Sequence, residues 1–522
     1  MTRIHAHRPM VALVAVGLLA GCGSTVQGLG ANGTAGNTQG LGVPSSGPTG
    51  AAVPVGTAPG VAPAAGFTTG PGAGTVPGVT TGTGQPPGTH LVNGVPQGVG
   101  ITPTKIYVGI GYTTNGDAAN AAIGATGISQ GDPQADAKAV VEDINEHGGI
   151  AGRQLVPVWH ATNAASTDTY SNMDQQACAA YTQDNHVFAA MDKGLTDNFI
   201  ACMEKAGAMN FNAGTILYPD QGLMQQHPYY FDPGTLTTDR VFQQLPRSLA
   251  TLGYYNGWDA NLGRASAAST AKIGVLTYDH PEWNRPLGRL LSGLQQQGHP
   301  VATNDVVKVG WPNTTADEHQ LATAIGNAEL RFRQDGVNHV ILLDASGLLL
   351  LGFSRAAQGQ HYYPRYGVES GSGMQTLESG GDVDPQQLNG TVGFSWSPDI
   401  DLTPSAAAKY EPAAMKSCLE MIDKKTGQKL ASQPNAAGIA ISYCDVLYLL
   451  KWGIEHAGTS ITRDTVRAAL EHAGTSYASS EFLQEYFGPG RHDGPQVGWN
   501  MVWDSGCTCT KYVGSSFQIP SL

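Results

Sequence analysis

The feature that most constrains the fold is a regular alternation of strand-like and helix-like segments that begins at residue 105. Short β-branched or aromatic runs, such as Lys105 to Gly111, alternate with stretches whose apolar residues recur at helical spacing, such as Pro133 to Glu146. This alternation predicts parallel sheets with helices on both faces. It occurs in two blocks that are separated near residues 213 to 270, and it therefore predicts two α/β lobes.

The other predicted elements continue the same alternation to the end of the chain. Further strands are predicted at Gln154 to His160, Val187 to Met191, Lys272 to Tyr278, Val301 to Val309, Val337 to Asp344, Arg365 to Glu369 and Trp499 to Asp504. Further helices are predicted at Asp174 to Tyr181, Thr196 to Ala206, Trp283 to Gln297, Ala316 to Gln334, Gly347 to Gln358, Pro404 to Lys425, Ala436 to His456 and Arg463 to Glu471. The last of these strands is expected to close the domain.

The segment before the alternation has a very different composition. Residues 23 to 100 contain no Asp, Glu, Lys or Arg, and they hold 22 of the 69 glycines and 10 of the 31 prolines of the 522-residue chain. Such a segment cannot bury enough apolar surface to offset its ordering entropy. We therefore predict a disordered tether over residues 22–103, with a root-mean-square span of about 50 Å, followed by a globular domain over residues 104–522.

The first 21 residues have the layout of a secretory signal peptide. Arg3 and Arg8 precede an apolar run from Val11 to Ala20, which is too short to span a membrane stably. The run ends in Leu19-Ala20-Gly21-Cys22, which resembles the lipobox of bacterial lipoproteins. This resemblance implies cleavage before Cys22, lipidation of that cysteine and attachment to the outer face of the bacterial cell membrane. The alternative is an ordinary secreted protein with a chance cysteine.

Charge and motifs exclude several classes of function. The formal net charge is −13, which argues against a nucleic-acid-binding protein, because such a protein would show clustered Lys and Arg. The sequence contains no H-E-x-x-H zinc motif, no phosphate-binding Walker loop and no G-x-G-x-x-G after the first strand. The run Gly352-Phe-Ser-Arg-Ala356 imitates a nucleophile elbow but lies inside a predicted helix. We therefore expect no enzyme, cofactor or metal site.

One segment carries a specific resemblance to a known family. Residues Ala139 to Leu155 (AVVEDINEHGGIAGRQL) look like the first helix and turn of type I periplasmic binding proteins, in particular the branched-chain amino-acid solute-binding proteins of ABC transporters. The preceding strand at Ile106 to Gly111 and the later Tyr366 to Gly371 fit the same pattern. The resemblance covers roughly residues 104 to 515.

This resemblance implies two Rossmann-like lobes joined by a three-strand hinge, with a solute in the cleft between them. We place lobe 1 at about residues 104–234 and 391–485, and lobe 2 at about residues 235–390 and 486–522. The implied partners are a small amino-acid-like solute and an ABC permease in the membrane, and the implied state is a monomer. A different function for the same fold is an extracellular sensor or scaffold that binds a protein partner.

Ligands of open α/β sheets bind beyond the carboxyl ends of the strands, which selects candidate residues in lobe 1. Tyr112 follows the first strand, and the loop after the third strand contains Asp192, Lys193, Gly194 and Thr196. This loop runs into a predicted helix, whose N-terminal N–H groups suit a ligand carboxylate. The alternative role for Thr196 is only to cap the helix. Because related proteins carry small hydroxylated residues here, Asp192 and Lys193 put branched-chain specificity in doubt.

The equivalent loops of lobe 2 supply the other candidates. The resemblance implies an aromatic residue in the first loop, where Tyr278 and Trp283 stand, and an acid in the later one, where Glu369 and Ser370 stand. Glu369 is the predicted partner of a ligand ammonium group, against a surface ion pair. Trp283 is equally suited to the core of its helix. Trp396, in the predicted hinge, is a further candidate.

The seven cysteines fit an exported protein. With Cys22 set aside for lipidation, six remain, and an even number outside the cytoplasm suggests disulfides. Fifteen connectivities are open; we predict Cys178–Cys202, Cys418–Cys444 and Cys507–Cys509. A metal site is the rival role for the last pair, but no nearby cysteine or histidine pair completes it.

Overall fold

The computed structural model describes residues 88–522, except residues 193, 213–217 and 315–316 and the side chains of residues 318 and 319. The predicted signal peptide, Cys22 and the tether up to residue 87 lie outside this part of the chain. Two lobes are present, each built on a largely parallel sheet with helices against it. The predicted two-lobe α/β fold is therefore confirmed.

The sheet of the first lobe has five parallel strands in the order β4-β3-β5-β6-β7. These strands are β3 (Lys105–Thr114), β4 (Gln154–Asn163), β5 (Ala189–Met191), β6 (Met209–Phe211) and β7 (Tyr230–Phe231), and they follow the short hairpin β1 (Thr89–Val92) and β2 (Val95–Gly98). The order of the sheet reverses between β3 and β5. Loops that follow these two strands diverge and leave a crevice, which is where ligands of such sheets bind.

The sheet of the second lobe has seven strands in the order β11-β10-β12-β13-β14-β15-β16. A small pair, β8 (Trp258–Asp259) and β9 (Arg264–Ala265), precedes it, and its members are β10 (Ile273–Asp279), β11 (Val306–Gly310), β12 (His339–Leu342), β13 (Arg365–Glu369), β14 (Val392–Ser395), β15 (Val497–Asp504) and β16 (Cys509–Gln518). The first five are parallel and the last two are antiparallel. The parallel part repeats the topology of the first lobe.

The helices fall into two sets, one for each sheet. A pair of short helices follows the second-lobe set in the chain. The first lobe holds α1 (Gly116–Ala122), α2 (Pro133–Glu146), α3 (Tyr170–Ala179), α4 (Asp197–Lys205) and α5 (Gln221–Gln226). The second holds α6 (Thr238–Thr251), α7 (Pro281–Asn284), α8 (Leu287–Gln296), α9 (Asp317–Gln334), α10 (Leu348–Gly359) and α11 (Met374–Ser379). Next come α12 (Pro398–Asp401) and α13 (Pro404–Ala407), and then α14 (Ala413–Thr426), α15 (Pro434–His456) and α16 (Arg463–Glu471), which return to the first lobe.

Helix α15 is the central helix of the first lobe. It packs against α2, α14 and α16, and most of its side chains are buried in the core of that lobe. In the described part of the chain it is also the one helix long and apolar enough to cross a membrane. The burial of its side chains in the core of the first lobe accounts for its apolar composition.

Two predicted helices are each divided by a proline. Trp283 to Gln297 is split into α7 and α8 at Pro286, and Pro404 to Lys425 is interrupted over residues 408–412, with α14 beginning directly after Pro412. Proline removes a backbone donor and crowds the preceding turn, so the helix restarts there. The domain also does not close with β15, because β16 pairs with it as an antiparallel hairpin that the sequence pattern did not predict.

The predicted lobe boundary at residue 391 is wrong. Strand β14 pairs in parallel with β13 and antiparallel with β15, so it belongs to the second lobe. The chain returns to the first lobe only after this strand. It passes between the lobes three times, over residues 232–237, 396–412 and 472–496, and we call these the crossing segments.

The predicted end of the tether at residue 103 is also wrong. The hairpin of β1 and β2 turns at Asn93 and Gly94, which both have positive φ values, as a tight two-residue hairpin turn requires. Its second strand binds the first lobe, since the Gly98 N–H donates to the Ile461 carbonyl at 2.6 Å. Ile101 is fully buried. The Asn-Gly pair flanked by valines was the sequence signal for this hairpin.

A chain that begins at residue 104 is expected to be less stable than one that begins at residue 88, by about 2 kcal/mol. The shorter chain loses the buried Ile101 side chain and the hydrogen bonds that β2 makes to the first lobe. Urea denaturation of the two chains measures the difference. Equal midpoints and slopes would show that the hairpin adds nothing to the lobe.

The six cysteines of the described chain lie in three pairs. Cys178–Cys202 joins α3 to α4 and Cys418–Cys444 joins α14 to α15, each with Cα atoms 6.3 Å apart. Cys507 and Cys509 flank an exposed turn, with Cα atoms 5.2 Å apart. This pairing agrees with the predicted connectivity, and the first two pairs bridge neighbouring helices of the first lobe.

Candidate functional site

A cavity of about 390 Å³ lies between the two lobes. Both lobes and all three crossing segments line it, the latter through Gly234, Asp399, Ile400 and Glu481. The two lobes form its opposite walls, and the crossing segments join them. A cavity of this size suits a small molecule.

The position of the cavity follows from the strand order of the first sheet. Tyr112 and Thr113 lie at the carboxyl end of β3, and Asp192 and Leu195 follow β5, so the two loops on either side of the reversal point both reach the cavity. In the second lobe the loop after β12 contributes Ser346. The crevice rule for open sheets therefore locates the site in both lobes.

Two carboxylates organise the wall of the first lobe. Asp174, on α3, accepts hydrogen bonds from the Leu195 N–H at 2.8 Å and the Thr196 hydroxyl at 2.6 Å. Asp192 accepts from the Tyr181 hydroxyl at 3.1 Å and from the Gly194 N–H at 3.4 Å. Burial raises the pKa of Asp174 to about 6, although these donors oppose the shift. The protein's own carboxylates thus bind the polar groups of this loop.

Three of the predicted residues line the cavity. Tyr112 lines the cavity and packs edge-on against Trp159. Asp192 lies in the first-lobe wall, and Ser370 lies in the second-lobe wall. The Ser370 hydroxyl donates to Asp401 and accepts from the Trp396 N–H at 3.0 Å, which fixes its orientation.

The acid and aromatic residues predicted for the second lobe lie behind the wall. Glu369 is buried and accepts from the Gly371 N–H at 2.6 Å, because a carboxylate at a strand end can cap the turn that follows. The Tyr278 hydroxyl donates to Asp344, and Trp283 and Trp396 pack in the core of the lobe. None of these four side chains lines the cavity.

The remaining predicted residues belong to the loop before α4. Thr196 precedes the helix and donates to Asp174, and Gly194 packs against Phe199; neither lines the cavity. Lys193 lies outside the described residues. Leu195, between them, is the residue of this loop that reaches the cavity along with Asp192.

Several cavity residues were missed by sequence reasoning. Tyr218 and Tyr443 contribute aromatic rings, Asp174 and Asp399 contribute carboxylates, and Glu481 lies at the base. Asp174 and Tyr443 belong to predicted helices, where nothing in the spacing separates a cavity-facing residue from a core residue. Glu481 lies in an irregular crossing segment, and its only signal was a charge among serines and aromatics.

No cluster of three or more His, Cys, Asp or Glu side chains in the described chain is arranged to hold a metal ion. Cys507 and Cys509 are paired with each other. The cavity walls therefore offer carboxylates, hydroxyls and aromatic rings for direct contact with an organic solute.

Solved structures with the same fold include an R. palustris ABC-transporter solute-binding protein in complex with 4-hydroxybenzoate, at 12% identity and TM-score 0.54, covering 80% of this chain and 98% of that one. Another is a fatty acid ABC transporter substrate-binding protein from Thermomonospora curvata, at 15% identity and TM-score 0.51, covering 82% and 98%. A third is a branched-chain amino acid ABC transporter protein from Thermus thermophilus with bound valine, at 15% and 0.51, covering 79% and 96%.

No family model matches the sequence. No curated protein matches it either. The structural similarity covers about four fifths of this chain and nearly all of each similar structure, so it establishes the whole two-lobe fold.

Proposed function

We propose that this chain, which has the fold of the type I periplasmic binding proteins, is the solute-binding component of an ABC importer. It captures a small solute of about the size of an amino acid between its lobes and presents it to a permease in the membrane. The observation that carries this proposal is the interlobe cavity of about 390 Å³, which both lobes and the crossing segments line.

Binding and closure are coupled through this geometry. A ligand that contacts both walls favours the arrangement in which the walls are close, and so shifts the equilibrium towards the closed state. The three crossing segments form the base of the cavity, so a ligand also touches the segments about which the lobes would move. The amino-acid-like character of the solute remains a prediction.

The proposed location is outside the cytoplasmic membrane. The lipobox-like Leu19 to Cys22 and the uncharged segment after it support a lipid anchor followed by a long tether. The acidic surface would not bind anionic lipids, so attachment would depend on Cys22. Radiolabelled fatty acid incorporation into the whole chain, with Cys22→Ala as the control, tests this anchor; unchanged labelling of that variant would refute it.

A cavity-filling substitution tests solute capture. Gly438, on α15, lines the cavity, and a side chain there would point toward Asp399. Gly438→Leu is therefore expected to weaken binding of the solute that co-purifies with the protein by about tenfold or more, without loss of the fold. Isothermal titration with the solute identified by mass spectrometry measures this, and small-angle scattering follows closure.

The matched control is Gly326→Leu. Gly326 also lies within a helix, α9, and a side chain at that position would meet open space. It is expected to leave affinity unchanged. Equal loss in both variants, or no saturable binding of any small solute by the unaltered protein, would contradict solute capture and favour a sensor or scaffold that binds a protein partner.

A further inference from the structure

The described residues that line the cavity carry charge of one sign. Four carboxylate side chains line it, those of Asp174, Asp192, Asp399 and Glu481, and no Lys, Arg or His of the described chain does. An ammonium or guanidinium group would find opposite charge in these walls, whereas a ligand carboxylate would meet like charge. The negative charge of these carboxylates is the first indication of the ligand's chemistry.

Three donors in the loop before α4 are already engaged by the protein's own carboxylates. At the start of α4 the Leu195 N–H and the Thr196 hydroxyl donate to Asp174, and the Gly194 N–H donates to Asp192. A ligand carboxylate bound to these three donors would have to displace Asp174 or Asp192. The expectation that this helix N-terminus receives a ligand carboxylate therefore conflicts with the hydrogen bonds that the protein makes for itself.

Glu481 is the carboxylate that still needs a partner. It is 7% exposed, it lines the cavity, and no donor in the described chain binds its side-chain oxygens. Its carboxylate lies over Gly234, where a Cβ would be 3.5 Å from Oε2. Glu481 and Gly234 are on different crossing segments. A group bound to this carboxylate would therefore lie beside two of the segments that join the lobes.

We propose that this cavity binds an organic cation that carries no carboxylate, such as a primary amine, a guanidine or a quaternary ammonium compound, with Glu481 as the partner of its positive charge. This proposal rests on the proposed solute-binding function and narrows it to one class of ligand. The rings of Tyr218 and Tyr443 also line the cavity and suit a cation and its apolar substituent. The apolar walls at Met173, Met191 and Ile439 would hold that substituent.

Burial gives this site a dependence on pH. Burial raises the pKa of Glu481 well above its ordinary value, and the carboxylates Asp399, Asp445 and Asp232 act in the same direction. Glu481 in turn contributes to the raised pKa of the neighbouring Glu485. The empty cavity therefore favours the protonated acid. A bound cation favours the carboxylate, so binding releases a proton and affinity for a permanently charged ligand falls as the pH is lowered.

The test uses matched ligands with the protein from residue 22 onward. One set is isoamylamine, leucine and isocaproate, which share an isobutyl group and differ only in charged groups; a second set is tyramine, tyrosine and phloretate. The amine of at least one set is expected to bind about tenfold or more tightly than its zwitterion, and the acids are expected not to bind. Isothermal titration measures each affinity and, in buffers of different ionisation enthalpy, the proton released.

Variants assign the charge partner. Glu481→Gln is expected to lower amine affinity about tenfold or more and to abolish the proton release. Glu329→Gln removes another buried glutamate, on α9 in the second lobe and outside the cavity, and is the control that should change neither. The quaternary analogue isoamyl-trimethylammonium, whose charge does not titrate, should bind more weakly at about pH 5 than at about pH 8 if Glu481 holds it.

The outcomes separate the two proposals. Tighter binding of a zwitterion or an acid, with that binding lost in Lys193→Met, would overturn the cation assignment and leave solute capture standing. Amine binding that is indifferent to Glu481→Gln would also overturn it. No saturable binding in either set, and no co-purifying solute, would reject both proposals.

Discussion

Replacing Arg240 with methionine is expected to lower the free energy of unfolding by about 3–5 kcal/mol, because it removes the direct, fully buried ion pair of Asp493. Arg240 lies on α6 and is 1% exposed. Its Nη1 donates to Asp493 Oδ2 at 2.8 Å, and its Nε donates to the Pro520 carbonyl at 3.1 Å. The Arg240 side chain thus connects α6, which follows the first crossing segment, to the third crossing segment and to the C-terminal residues.

Asp493 has further partners that would remain in the variant. Its Oδ2 also accepts from the N–H and the hydroxyl of Thr237, both at 3.0 Å, and Arg491 Nε lies 3.6 Å from its Oδ1. These groups position the carboxylate but do not replace a direct charge-assisted bond in a buried site. We therefore expect the loss to persist at high salt, which screens buried pairs little.

The control for this prediction is Arg289→Met. Arg289 Nε donates to Asp239 at 2.9 Å, but its side chain is 52% exposed. Exposed pairs of this kind contribute about 0–1 kcal/mol. Urea denaturation followed by circular dichroism compares the two variants. If Arg240→Met lowers the free energy of unfolding no more than Arg289→Met does, the buried pair of Arg240 and Asp493 does not stabilise the crossing segments.

The double substitution Cys418→Ala/Cys444→Ala is expected to lower the free energy of unfolding by roughly 3–4 kcal/mol. The bridge spans a sequence separation of 26 residues and joins α14 to α15, with both cysteines buried in the core of the first lobe. A cross-link of this span removes many conformations from the unfolded chain, and its loss restores them. Oxidised protein and variant are compared by thermal and urea denaturation.

The same substitution at Cys507 and Cys509 is the matched control. That pair has a sequence separation of 2 and lies at an exposed turn, so its removal is expected to cost only about 1 kcal/mol. Dithiothreitol should lower the stability of the unaltered protein and change the Cys418→Ala/Cys444→Ala variant less. Equal losses in the two double variants would argue against the span of the cross-link as the cause.

Local patterns predicted much of the fold. The bounds of α2, β13 and α16 match the sequence predictions residue by residue, because each element has a clear periodicity and a proline, glycine or capping residue at an end. The failures are equally local in origin. Prolines 286 and 412 lie at breaks in two helices that were predicted to be continuous, and the Asn93-Gly94 turn forms a hairpin in a segment whose composition suggested disorder.

The candidate site was predicted less well than the fold, and two acidic residues show why. Glu369 was expected to face the ligand, but the turn that follows β13 offers an N–H group that it accepts from instead. Asp174 was part of a helix pattern, yet it reaches the loop before α4, more than twenty residues along the chain. Whether an acid at a strand end faces a ligand or caps a backbone depends on distances that no local pattern encodes.

The sequence by itself determined the order of strands and helices, the two α/β lobes and the class of fold, because periodicity, β-branched runs and glycine stops act over a few neighbouring residues. Only the tertiary structure decided which side chains border the cavity. Glu481, Gly234 and Asp399 come from three crossing segments, and Asp192 and Tyr443 from two distant elements of the first lobe. Their meeting depends on how the sheets twist and pack, so the acidic lining that the described residues form emerges only when the lobes are assembled.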